Sequence, residues 1–129
     1  MASNFVDPQY LRHVAPRYEP VAGCPENLQS IAAGLRTATA ITLTGASSVT
    51  FTPPTPPMGY GNVSRTLELT GRRLAAAGIS RPTAEQLQDA LMAVLKLRAS
   101  GVHWGKIAYE ITSVNENRGQ PAMGACSVS

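Results

Sequence analysis

Thr83–Ile111 reads TAEQLQDALMAVLKLRASGVHWGKIAYEI, and the fold is decided by how that stretch is read. Thr83 sits where an N-cap belongs and Gln86 follows three residues later, the two halves of a capping box. Leu87, Ala90, Leu91, Val94 and Leu95 recur at helical spacing and make one apolar stripe, which Leu97 widens. Ser100-Gly101 breaks the pattern. Trp104, Ile107, Ala108 and Ile111 then share a face of a second, shorter helix that carries the chain's single tryptophan. The expectation is two C-terminal amphipathic helices packed back to back, with the indole locked between them and the rest of the chain built around them.

Working upstream, Val63, Leu67 and Leu74 mark the buried stripe of a helix over residues 62–77, with Arg65, Arg72 and Arg73 facing outward. Gly71 inside it costs about 1 kcal/mol relative to alanine, which predicts close approach of another backbone there. Gly78 is placed to end the helix in a left-handed cap. Pro53-Pro-Thr-Pro-Pro57 precedes this helix as a stiff polyproline II spacer. Before that, Ala40-Ile-Thr-Leu-Thr44 and Ser48-Val-Thr-Phe-Thr52 alternate apolar residues with threonine, the period of half-buried strands. Gly45-Ala46-Ser47 between them predicts a β-hairpin whose Ile41, Leu43, Val49 and Phe51 face must be covered by helices. Pro25-Glu26-Asn27 opens a further helix, with Leu28, Ile31, Ala32 and Leu35 as its stripe.

Residues 1–24 hold Pro8, Pro16 and Pro20, each of which removes a backbone donor and disfavours helix just before it. They are read as an extended, proline-rich arm. Residues 25–112 are read as one helical domain with the hairpin at about 40–52, and residues 113–129 as a flexible tail. The fold class is therefore α+β, mainly α: three to four helices packed around one β-hairpin, flanked by a disordered N-terminal arm and C-terminal tail.

Composition agrees with a globular domain: 43% apolar residues, 15% charged and 5% aromatic in 129 residues. That length can bury a core without metal or disulfide support. The net charge of +3 lies wholly in residues 58–129, because Arg12, Arg17 and Arg36 balance Asp7, Glu19 and Glu26 in the first part. The excess is mild beside the dense basic patches of most nucleic-acid binders. Cys24 and Cys126 either close one large loop in an oxidising compartment or are unrelated thiols. No apolar run approaches the roughly 20 residues that span a bilayer. The first residues, MASNFVDPQYLRHV, lack the pattern of a signal peptide, although a removed signal would leave no trace.

No catalytic grouping emerges. Gly59-Tyr60-Gly61 lacks the later glycine or GK[ST] that a phosphate-cradling loop requires. His103 has no nucleophile or carboxylate at a telling distance in sequence, and no serine stands in a GxSxG elbow. Glu85, Asp89, Glu110 and Glu116 show no metal-ligand spacing. LRASGVHWGKIAYEI does read as the first half of a helix-turn-helix, in which Lys96, Arg98, Lys106 and Arg118 would contact phosphates. Residues 113–119 carry too few apolar anchors to dock the recognition helix such a motif needs.

Met58-Gly-Tyr-Gly-Asn-Val63 and Gly101-Val-His-Trp-Gly-Lys-Ile-Ala108 together resemble segments of a family of small, uncharacterised bacterial proteins, with an MGYGNV segment and a later GWGKIA-like one. The likeness runs from about Val21 to Ala108, with Val102-His103 standing where that family has Met-Gly. Members often carry a signal peptide, so the resemblance implies export. It implies no activity. The two segments also resemble each other: Tyr60-Gly-Asn-Val63 and Trp104-Gly-Lys-Ile107 both read aromatic, glycine, polar, aliphatic. The favoured reading is that each ring anchors a helix start while the glycine admits a neighbouring backbone.

The sequence thus points to a non-enzymatic, exported or envelope-associated interaction or structural module with no cofactor and no metal. Its expected binding surface for a protein or surface ligand is Tyr60, His103, Trp104 and Lys106. The alternative is the nucleic-acid-binding helix-turn-helix. The chain is secreted or periplasmic if a signal peptide has been removed, and otherwise cytoplasmic.

Overall fold

Asp7 begins a helix where the sequence predicts an extended arm. The computed structural model describes residues 6–112. In chain order it has α1 (Pro8–Ala22), α2 (Pro25–Thr37), β1 (Ile41–Leu43), β2 (Val49–Phe51), α3 (Tyr60–Ala76), α4 (Ala84–Ala99) and α5 (Trp104–Thr112). It is a mainly helical α+β fold with one antiparallel hairpin, and five helices where three to four are expected. The tail expected at 113–129 lies outside the described residues.

α1 corrects the arm, and its prolines explain how. Asp7 caps it by accepting from the Gln9 N–H at 3.0 Å, and Pro8 occupies the first turn, where its missing donor costs nothing. Pro16 and Pro20 lie inside the helix, but they share an exposed stripe with Pro8 and Arg12, so the carbonyls they orphan face water. The opposite stripe, Val14, Tyr18 and Ala22, is buried. Gly23 closes the helix at φ 96°, its N–H bonded to the Glu19 carbonyl at 2.7 Å.

Just after it, Cys24 is disulfide-bonded, while Cys126 lies outside the described residues. Asn27, fully buried in the first turn of α2, joins three elements. Its amide donates to the Ala22 and Thr44 carbonyls, each at 3.2 Å, and its Oδ1 accepts from the Thr44 N–H at 2.9 Å. A buried amide with all these bonds made fixes one geometry rather than costing stability.

The hairpin has the expected face. Ile41 pairs with Phe51, Thr42 with Thr50 and Leu43 with Val49. Ile41 and Leu43 are buried and Val49 and Phe51 half-buried against the helices. Gly34 of α2 makes the approach of β1 feasible, because a Cβ there would overlap the Ile41 side chain and lie 2.9 Å from the Thr39 carbonyl oxygen. The Pro53–Pro57 run packs onto the body, with Pro53 and Thr55 buried, and the Met58 N–H then bonds the Leu35 carbonyl at 3.1 Å.

α3, not the C-terminal pair, is the hub. It packs against α1, α2, α4 and α5. The main core joins Leu28, Ile31, Leu35, Leu67, Leu87 and Leu91 with the hairpin, and a smaller cluster of Leu69, Val94, Ile107 and Ile111 seats α5. Gly71 marks a close approach, as expected, though the neighbour is the Val21 side chain of α1, 2.9 Å from where a Cβ would stand. At the end of α3, Gly78 has φ 78°, and the Gly78 and Ile79 N–H groups bond the Ala75 and Leu74 carbonyls, a Schellman cap. The capping box at Thr83 and Gln86 is complete.

Candidate functional site

The local sequence fixes where Trp104 stands. Gly101, at φ 92°, ends α4 in a second Schellman cap: its N–H bonds the Arg98 carbonyl at 3.0 Å, and Val102 bonds the Leu97 carbonyl at 3.1 Å. The chain turns, the His103 carbonyl accepts from Lys106 and Ile107, and α5 begins at Trp104. Ile107 and Ile111, one turn apart, enter the small cluster. Trp104 lies one turn before Ile107 on the same side, packed at the edge of that cluster beside Leu69 of α3.

The indole is therefore half-buried, which corrects the expectation of a ring locked between the last two helices. The Arg98 guanidinium sits 4.6 Å from the ring centroid, and its Nη1 donates to the Val102 carbonyl at 3.1 Å. This cation–π contact fastens the ring to the end of α4. The remainder of the ring lines an open groove between α3 and α5. Arg65, Glu68, Leu69 and Arg72 form one wall, with Trp104, Gly105 and Ala108 opposite.

Charge in the groove is unevenly committed. Arg72 Nη2 pairs with Glu68 Oε2 at 2.9 Å, one turn apart, with side chains 54% and 39% exposed, so the pair is solvent-screened. Arg65 is exposed and has no ion-pair partner among the described residues. A Cβ on Gly105 would meet nothing closer than His103 Nδ1 at 3.8 Å, an ordinary contact. A wider depression of about 420 Å³, against about 190 Å³ here, lies between α2 and β1. It is lined by Glu26, Gln29, Ser30, Ala33, Ala40 and Thr42, with no aromatic ring, so its size brings no comparable chemistry.

The expected site residues do not form one surface. Tyr60 faces away from the groove: its ring stacks on Tyr10 at 4.4 Å, its Oη accepts from the Asp7 N–H at 2.9 Å, and Arg36 lies 4.0 Å from its centroid. Tyr10 in turn bonds Ser64 Oγ at 2.8 Å, and burial pushes its phenol up from the ordinary value. Tyr60 is thus a staple between α1, α2 and α3. His103 is exposed and uses its carbonyl rather than its imidazole to start α5. Lys106 points to solvent and pairs with Glu110 at 3.7 Å.

Of the residues expected to contact phosphates, Arg98 is drawn onto Trp104, Lys106 pairs with Glu110, Lys96 is exposed, and Arg118 lies outside the described residues. The two glycines do not admit a backbone either. A Cβ on Gly61 would have nothing within 4 Å, and one on Gly105 would meet only the His103 ring, at ordinary distance. What sequence reading missed is the wall: Arg65, Glu68, Leu69 and Arg72 share a face of α3 by their helical spacing, yet only the packing of α5 turns that face into a groove.

Among the described residues no three or more His, Cys, Asp or Glu side chains gather to hold a metal, and no helix is long and apolar enough to cross a membrane. No family model matches the chain, and neither a curated protein nor a solved structure matches it.

Proposed function

We propose that the protein is a non-enzymatic interaction module, exported or envelope-associated, that presents the groove beside Trp104 to a protein partner. The observation that carries this reading is the arrangement of that groove. A half-buried indole is held from one side by Arg98, with two arginines across from it and a single carboxylate already paired. Such an arrangement recognises rather than reacts, since an acid–base step needs a proton donor and acceptor converging on one substrate atom. Tryptophan and arginine are also the residues that most often anchor interfaces. The disulfide at Cys24 supports an oxidising compartment, as does the resemblance to exported proteins.

The nucleic-acid reading has less behind it. The turn at Gly101 joins two helices as a helix-turn-helix would, but Arg98 and Lys106 are both engaged within the chain.

The test is a photo-crosslinking residue installed at Gly105 in the full chain, expressed in its native host. A protein adduct that disappears in Trp104→Ala is expected. Adducts absent from position 105, together with a freely alkylated Cys24 in intact cells, would refute the reading.

A further inference from the structure

We propose that the groove between α3 and α5 takes an extended acidic segment of another protein, with two carboxylates three residues apart and an apolar side chain between them. This rests on the interaction-module reading and specifies its ligand.

The spacing comes from the helix. Arg65 and Arg72 are seven residues apart on α3, which at the α-helical rise separates them by about 10 Å along the axis. An extended chain advances about 3.3 Å per residue, so acids three positions apart match that separation. Between the two arginines the walls are apolar, Leu69 on α3 and the indole and Ala108 on α5, which suits one aromatic or branched side chain.

The charges fit the same occupant. Arg65 has no ion-pair partner among the described residues. Arg72 uses one nitrogen on Glu68 at 2.9 Å, leaving the rest of its planar fork to receive a second carboxylate. Arg98 over the indole adds positive potential without occupying the groove. Gly105 contributes no side chain, so the backbone of an extended segment can lie close to α5 there. Glu68 decides between a peptide and a nucleic acid. It stands between the arginines, where a nucleic-acid backbone, charged at every unit, is repelled, while a peptide can set a neutral residue against it.

The experiment titrates the full chain with the synthetic peptide SGEAFEGS and follows the emission of Trp104, the chain's single tryptophan. A saturable change is expected, weakened on the order of tenfold when both glutamates become glutamine, when they are made adjacent, or in Arg65→Ala, and weakened further by salt. Arg65 is exposed, so its variant should melt as the parent does, which separates lost binding from lost fold. Trp104→Phe, followed by anisotropy of a labelled peptide, should retain part of the affinity.

No saturable response at millimolar peptide, or equal binding of the glutamine peptide, would overturn the proposal. So would tighter, steeply salt-dependent binding of a duplex oligonucleotide, or an emission change on dilution alone that reports self-association. An adduct from position 105 without any preference for acidic peptides overturns this ligand and leaves the interaction-module reading standing. Loss of both signals removes both.

Discussion

Tyr60 and Trp104 begin their helices with the same four-residue pattern, and the fold treats them in opposite ways. Each ring opens a helix, each is followed by glycine, and each is followed three residues on by a fully buried aliphatic, Val63 or Ile107. Each also lies under an arginine, Arg36 or Arg98. What differs is the other side of the ring. Tyr60 meets Tyr10 and the Asp7 N–H from α1, whereas Trp104 meets an open groove. Both rings are half-buried, but Tyr60 gains a stacking and a hydrogen-bonding partner because a whole helix precedes it in the chain and folds against it. The same local motif thus makes a staple where a neighbouring helix meets it and borders an open groove where none does.

The comparison breaks most visibly if both rings are truncated. Tyr60→Ala should cost about 2–3 kcal/mol, from lost stacking, lost burial and an orphaned Asp7 N–H. Trp104→Ala should cost less, about 1–2 kcal/mol, because one side of the half-buried ring borders an open groove and no hydrogen bond is lost with it. Urea midpoints would check both, and equal losses would mean that the stacking and the hydrogen bond from α1 add nothing at Tyr60. Tyr60→Phe isolates the hydrogen bond to Asp7 and should cost about 1 kcal/mol.

The paired glycines sharpen the contrast. Neither Gly61 nor Gly105 would clash on gaining a Cβ, so alanine at either should leave stability unchanged or raise it by up to about 1 kcal/mol. Only Gly105→Ala should weaken the groove's hold on an acidic peptide. A stability loss at either position would show an approach that the structure lacks.

The smallest effect is the response to pH. Burial raises the Tyr10 phenol, so the Tyr10–Tyr60 staple contributes in full below the unfolded tyrosine value of about 10 and is lost as pH rises through the higher folded value. An alkaline melt read by tyrosine absorbance should begin at that staple, while the surroundings of Trp104, read by fluorescence, follow later. Simultaneous loss at lower pH would contradict it.

How much of this could be read beforehand follows from how local each cause is. The capping box at Thr83 and Gln86, the left-handed end at Gly78, the helix break at Ser100-Gly101 and the threonine-alternating hairpin are all set within a few residues, and all were legible. α1 was not, because Pro16 and Pro20 argue against helix on every local count. Only the burial of Val14, Tyr18 and Ala22 on the opposite stripe shows that the prolines lie where water can satisfy the freed carbonyls. The groove was illegible for a different reason. Periodicity places Trp104 on the same face as Ile107, but how far that face is covered there depends on how α5 docks against the middle of α3.

Collisional quenching of Trp104 tests the central claim most directly, since it is the chain's single tryptophan and reports from one place. With Arg65, Arg72 and Arg98 around a half-buried indole that borders the groove, iodide should quench the emission markedly more than caesium, and added salt should narrow the gap. An emission that neither ion reaches, or one that caesium quenches better, would contradict an open, positively lined groove.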